Sequence, residues 1–354
     1  MSESVAVSVS SGAADSTYEP SWLHRAVAWF ERLPGPTWIA YLALFVVNTL
    51  FWHLIPWAKG SVPVGTLDAP SLYWGLQAPA LLWIAGYLQR GAAASFDAFR
   101  SILVMPPDEA ERLRHTLLVL PARPAWVITA LAGVLTVVGV LAEPATYTIG
   151  VPPPLVVGEF LVQTATTSML FMLLYWLIRQ TALVRRTLAH SVAIDVFRPG
   201  PLHAVATLTS RPGIAISLLV AAAVLIIPLP SSFETFLVGA APYLVVPPVI
   251  AIIAFVLPLT GAHARLVEQK EQLRDDAERR LEAILAELNR DVDARELDRA
   301  DGLNKTLASL TAQREILAKL PTWPWSTATL RGFVSALLLP MVLFLIQQAL
   351  SRVF

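Results

Sequence analysis

Six polar residues crowd one half of an otherwise apolar stretch: Glu159, Gln163, Thr164, Thr166, Thr167 and Ser168. A carboxylate, an amide and hydroxyls within one helix are expensive in hydrocarbon unless they face protein or water. Two readings fit them. They form the wall of a cavity that takes a ligand or a cation, or the hydroxyls bond their own backbone and support helix packing. Tyr73, Trp74 and Gln77, with Asn48 and His53, are placed to line the same cavity or to pack and anchor at the interface. The ligand-pocket candidates are therefore Tyr73, Trp74, Gln77, Glu159, Gln163 and Thr167.

A second group lies near the C-terminus, in "RGFVSALLLPMVLFLIQQALSRVF". Adjacent glutamines on a helix point about 100° apart, so at least one of Gln347 and Gln348 must face protein or water. If copies of this helix met on an axis, Leu343 or Phe344 would form a dry constriction with a ring of amides just above it. Hydrophobic gates and polar rings are the parts of pores. Leu343, Phe344, Gln347, Gln348 and Ser351 are the pore-lining candidates. The other reading is one more bundle helix with glutamines at the interface.

No other constellation carries chemistry. There is no Gly-rich phosphate loop, no carboxylate pair and no nucleophile beside a base, so no catalytic residue is assigned and no cofactor is expected. His24, His53, His115, His190, His203 and His263 have no metal-ligand spacing, and the chain has no cysteine. No metal site is expected.

These groups must be positioned by membrane helices. Of the residues, 55% are apolar and 15% charged, with a mean hydropathy of +0.60, whereas a soluble domain has about 25% charged residues. Seven stretches have the length and apolarity of a span: Trp38–Trp57, Ser71–Gln89, Ala125–Leu141, Pro154–Ile178, Gly213–Leu229, Ala241–Leu259 and Gly332–Leu350. Gln77 and Pro79 weaken the second, and Pro247, Pro248 and Pro258 predict a kink in the sixth. With this count, 24 of the 26 Lys and Arg residues fall on one side, and only Lys59 and Arg352 on the other. The positive-inside rule then places the N-terminus in the cytoplasm and the C-terminus outside. The expected protein is an all-α, seven-span protein of the plasma membrane, with the bulk of its soluble part cytoplasmic.

Residues 1–20 read as a disordered tail without the basic start of a secretory signal. Residues 21–262 form a six-span bundle with cytoplasmic links. The pattern predicts a helix over "MPPDEAERLRHTLLVLP", a short helix over "FRPGPLHAVATLTSRPG" and a continuation of the fourth span beyond Arg179. Residues 263–321 read as a helical hairpin. Leu266, Leu273, Ala277, Leu281, Ile284 and Leu288 make one apolar stripe; Leu303, Leu307, Leu310, Leu317 and Leu320 make another, with the turn near Gly302. The hairpin either folds on its own inner surface or joins subunits through 264–320. It carries 13 acidic against 11 basic residues between His263 and Leu320, so nucleic acid is not an expected partner. Residues 322–354 hold the interfacial "PTWPW" and the last span.

This plan resembles the seven-transmembrane ion channels that include the insect odorant and gustatory receptors. The shared features are seven spans, a cytoplasmic N-terminus, cytoplasmic extensions of spans four to six, and a last helix separated from its cytoplasmic arm. That family's last span carries Thr-Tyr, five apolar residues and Gln-Phe. Here Val342–Ile346 and Gln347 match the run and the glutamine, while Pro340-Met341 replaces Thr-Tyr and Gln348 replaces Phe. The resemblance implies a homotetrameric, ligand-gated cation channel. The last helices would line the pore, and a small-molecule pocket would open in each bundle. The Ala- and Arg-rich style suggests a prokaryotic member. The alternatives are a carrier or small-molecule receptor with a pocket around Glu159, or a scaffold that transports nothing.

Overall fold

A computed structural model describes residues 18–190, 195–227, 241–294 and 297–350. Residues 1–17 of the expected tail and Ser351 lie outside these, while Tyr18, Glu19 and Pro20 are described. The described chain is helical: α1 (Trp22–Glu31), α2 (Thr37–Lys59), α3 (Ala69–Phe99), α4 (Pro107–Leu118), α5 (Ala122–Ala142), a single turn α6 (Pro144–Tyr147) and α7 (Pro153–His190). Then follow α8 (Gly200–Ile226), α9 (Ala241–Val256), α10 (Thr260–Asp293), α11 (Leu297–Lys319) and α12 (Thr327–Leu350). Six helical runs are long and apolar enough to cross a membrane: α2, α5, α7, α8, the α9–α10 run and α12. Long, apolar outer faces remain uncovered. Only 11% of the apolar stretch of α5 and 17% of that of α12 are buried within the protein, which fits a multi-pass protein whose solvent is lipid.

Local signals set the ends. Asp68 Oδ2 accepts the Ser71 N–H at 2.9 Å and Pro70 stands in the first turn, which starts α3. Gly60, at φ 70°, closes α2 in the left-handed conformation. Pro107, followed by Asp108 and Glu109, starts α4.

Two expectations are corrected. The segment after Pro199 is not a separate short helix, because α8 runs unbroken from Gly200 through Pro212 to Ile226. Proline's missing N–H is tolerated where neighbouring helices hold the segment. Gly302 is not the hairpin turn: it lies within α11, and α10 ends at Asp293. A glycine inside a helix costs only about 1 kcal/mol relative to Ala, less than unpairing the two arms.

The arms run antiparallel. Lys270 Nζ donates to the carbonyls of Ala318 at 2.8 Å and Leu320 at 2.7 Å, and Arg314 lies 3.8 Å from Glu278. Leu281, Ile284 and Leu288 on α10 and Leu303, Leu307 and Leu310 on α11 are half-buried, so the two stripes read from the sequence are the sheltered sides of the hairpin.

The helix α8 is central, packing against α12, α3 and α9. Small residues permit this. A β-carbon on Gly213 would lie 2.8 Å from the Phe333 ring of α12 and 3.0 Å from Ala251 of α9. Likewise α2 and α3 meet where a β-carbon on Gly75 would lie 2.6 Å from Thr49 Cα. The largest buried cluster joins Phe96 and Phe99 of α3, Leu117 of α4, Leu188 of α7, Leu202 of α8, Phe255 of α9, Leu266 of α10 and Phe333 of α12.

The end of α4 is tied by polar bonds. The last carbonyls of a helix have no partner of their own. Trp176 Nε1 and Gln180 Nε2 of α7 each donate to Leu117 O at 3.0 Å, and His24 Nε2 donates to Leu118 O at 2.8 Å. Arg179 and the Tyr18 hydroxyl each donate to Val119 O at 3.2 Å, and Ser21 N–H donates to Leu120 O at 2.8 Å. Trp176, which its position marks as an interfacial anchor, is instead a fully buried donor.

Burial pushes the His24 imidazole below its ordinary range, against the opposing effect of its bond to Leu118. The neutral ring is therefore favoured in the folded protein, while the unfolded chain takes up a proton near pH 6.5. The unfolded state binds more protons in that window, so this stability is complete above the unfolded pKa and is lost as pH falls below it. Thermal unfolding in detergent should shift to lower temperature between pH 7.5 and 5.5. His24→Gln, which keeps a donor and removes the titration, should flatten that slope.

Candidate functional site

The two halves of the expected ligand pocket separate. A cavity of about 240 Å³ lies among α3, α7, α8 and α9. Tyr73 and Gln77 line it, with Phe171 and Leu174 of α7, Ile216 and Val220 of α8 and Ile250 of α9. Trp74, Glu159, Gln163 and Thr167 are not among its lining residues. The helical period explains the split: Leu170, Phe171 and Leu174 turn toward α8, while the residues one to three turns earlier serve other neighbours.

Those upper polar residues mainly serve their own helix and its contacts. Thr166 Oγ1 donates to Val162 O at 2.8 Å, and Ser168 Oγ donates to Thr164 O at 2.6 Å. Gln163 Nε2 reaches Thr167 Oγ1 at 3.5 Å. The side chain of Thr164 faces α5, its methyl 3.6 Å from where a β-carbon on Gly133 would be.

Thr164 Oγ1 is buried without a hydrogen-bond partner, and the same holds for one oxygen of Glu159. Glu159 is 7% exposed, and the unpartnered atom is its Oε2. It sits at the upper end of α7 beside Gly158, where a β-carbon would lie 2.8 Å from the Phe51 ring of α2. Lys59, in the last turn of α2, is the opposite charge that acts on it. The buried indole Nε1 of Trp52 also has no partner. Trp52 heads a small cluster with Ile55 and Val151, against which Trp74, Leu155 and Val162 pack.

Asn48 and His53 clamp α2 to α3. Asn48 Nδ2 donates to Gly75 O at 2.8 Å and Trp74 O at 3.3 Å. His53 Nδ1 donates to Thr49 O at 2.7 Å, and its Nε2 accepts the Asp68 N–H at 3.0 Å. The partners assign the tautomer with Nδ1 protonated.

Leu343, Phe344, Gln347 and Gln348 form the half-buried side of α12. Gln347 Nε2 donates to Val224 O at 2.5 Å and to Leu225 O at 3.5 Å. These are last-turn carbonyls of α8, the groups that a helix leaves to outside donors. One glutamine thus caps a neighbouring helix. From Leu338 to Ile346 the exposed residues of α12 are all apolar: Leu338, Leu339, Met341, Val342, Leu345 and Ile346.

Sequence reasoning missed the cavity's apolar wall. Phe171, Leu174, Ile216 and Val220 look like any span residues, and only their convergence marks them. Among the described residues no group of three or more His, Asp or Glu could hold a metal ion. Compared with protein-family models, curated proteins and solved structures, the chain matches none.

An orphaned buried polar atom costs about 1–3 kcal/mol. Glu159→Leu should therefore raise the unfolding temperature of the purified protein in detergent. A decrease would mean that the carboxylate holds the fold.

Proposed function

We propose that the protein is a small-molecule receptor of the cell membrane, crossing it seven times, which holds a compact, mostly apolar ligand inside its bundle. The carrying observation is the cavity of about 240 Å³ walled by four helices, with Gln77 and Tyr73 as its polar groups. It exceeds the apolar cavity of about 150 Å³ that takes up benzene in an engineered protein. A few placed polar groups in an apolar pocket fix a ligand's orientation. In this reading α3 is the seventh span. Its 31 residues are ample, and its lower apolarity suits a helix partly covered by α2, α7 and α8. The N-terminus and the hairpin lie in the cytoplasm, following the basic residues, and no reaction is catalysed. Two cavity residues, Pro212 and Pro247, interrupt the hydrogen-bond ladders of α8 and α9, so occupancy is communicated to α12 through α8. The test is binding of 1-aminoanthracene to purified protein. Saturable fluorescence enhancement is expected; Val220→Trp should abolish it, and Val138→Trp on the exposed side of α5 should not. Equal effects of the two substitutions would remove the cavity from the argument.

A second reading is the oligomeric cation channel, by similarity to the seven-transmembrane channels named above. The exposed apolar stretch of α12 from Leu338 to Ile346 favours it, because such a face suits a shared axis as well as lipid. With Gln347 engaged on α8, Leu338, Met341, Val342 and Leu345 would meet first at that axis. For Gln347 or Leu343 to line it, α12 would have to rotate or leave α8. Mass photometry in nanodiscs should then find four copies, and Leu345→Asn should alter conductance. A lone protomer would end this reading and leave the receptor standing.

A further inference from the structure

A second concavity, of about 360 Å³, opens between α2 and α3 on the outside of the bundle. Its walls are Trp38, Tyr41 and Phe45 on α2 and Leu76, Ala80 and Trp83 on α3. It faces outward in the apolar zone: Trp38 is 63% and Trp83 48% exposed. At one end the groove runs into charge. Trp83 stacks on Tyr87, centroids 5.5 Å apart and planes 8° from parallel. The Arg211 guanidinium of α8 lies 5.6 Å from the Tyr87 centroid. One helical turn beyond Tyr87 stands Arg90, paired with Glu31 of α1 and with 59% of its side chain exposed. Arg32 is also exposed at this end of α1. The chain accommodates Arg211 here by omitting a side chain: a β-carbon at Gly91 would lie 1.9 Å from Arg211 Nη1.

We propose that this groove is a binding site for an anionic glycerophospholipid. An acyl chain lies along Phe45, Leu76, Ala80 and Trp83, the glycerol level meets the stacked Trp83 and Tyr87, and the phosphodiester sits between Arg90 and Arg211. Charge and shape agree. Arg90 and Arg211 flank Tyr87 with one carboxylate, Glu31, paired to Arg90, and a guanidinium presents a planar fork that matches phosphate oxygens. Basic pockets between spanning helices favour anionic head groups, and an apolar groove continuous with such a pocket selects a lipid over a free ion. Arg211 precedes Pro212, which lines the inner cavity. An occupied lipid site would therefore fix the segment of α8 that borders the ligand.

The test is native mass spectrometry of the full chain released from detergent containing equal amounts of phosphatidylglycerol and phosphatidylcholine. Phosphatidylglycerol adducts should dominate. Arg90→Gln, which keeps a polar side chain at a position 59% exposed, should reduce them about fivefold, the effect expected of one basic group at a lipid surface. Arg211→Gln should do the same where it folds. Ala80→Trp, which fills the groove and leaves both arginines, should also remove them. Equal retention of the two lipids overturns the proposal. So does an unchanged phosphatidylglycerol signal in Arg90→Gln or in Ala80→Trp, or displacement of the lipid by inorganic phosphate at equal concentration.

Discussion

The carbonyls at the end of α4 must be satisfied although the chain turns away from the helix there. Two stretches of chain supply the donors: Tyr18, Ser21 and His24 from one, and Trp176, Arg179 and Gln180 from the other. A buried carbonyl without a donor costs as much as a lost hydrogen bond, so α1, α4 and α7 are fixed relative to one another by need rather than by contact area. The node also sets the start of α5, because Ser21 and Glu19 pair with Leu120 and Ala122 across the same turn. Trp22 then reaches Thr129 of α5 at 2.9 Å.

The same demand recurs inside the apolar zone. Gln347 completes the end of α8, Asn48 grips the α3 backbone at Gly75, and His53 accepts from the start of α3. Each of these side chains could pass for a functional group in a bare sequence. In the fold each is committed to a backbone partner. What remains for binding is the ground where helices diverge: the inner cavity with Gln77 and Tyr73, the outer groove that ends at Arg90 and Arg211, and the underpaired Glu159.

The inner cavity and the outer groove share α3, whose successive faces meet α2, α7 and α8. It carries Gln77 into the inner cavity and Arg90 to the mouth of the outer groove. A molecule in the cavity and a lipid at Arg211 would both press on the stretch of α8 around Pro212. Whether α12 meets lipid or its own copies, it takes its position from that stretch, through Phe333 against Gly213 and Gln347 against Val224.

Periodicity and charge determined the helical class, the long spans, the helix α4, the continuation of α7 and the two-armed hairpin. These depend on local spacing along one chain, at 3.6 residues per turn. The turn of the hairpin and the unity of α8 were misjudged, because glycine and proline signal breaks only where neighbours do not hold the helix together. Glu159 was recognisable as a carboxylate where few occur, but its isolation from the cavity was not. Which faces meet is a matter of rotation about helix axes and of close approach at Gly75, Gly91 and Gly213. Two residues seven apart on one helix can belong to different sites, and residues of α3, α7, α8 and α9 far apart in sequence can share one. That convergence arises from packing between helices, so only the tertiary structure decided it.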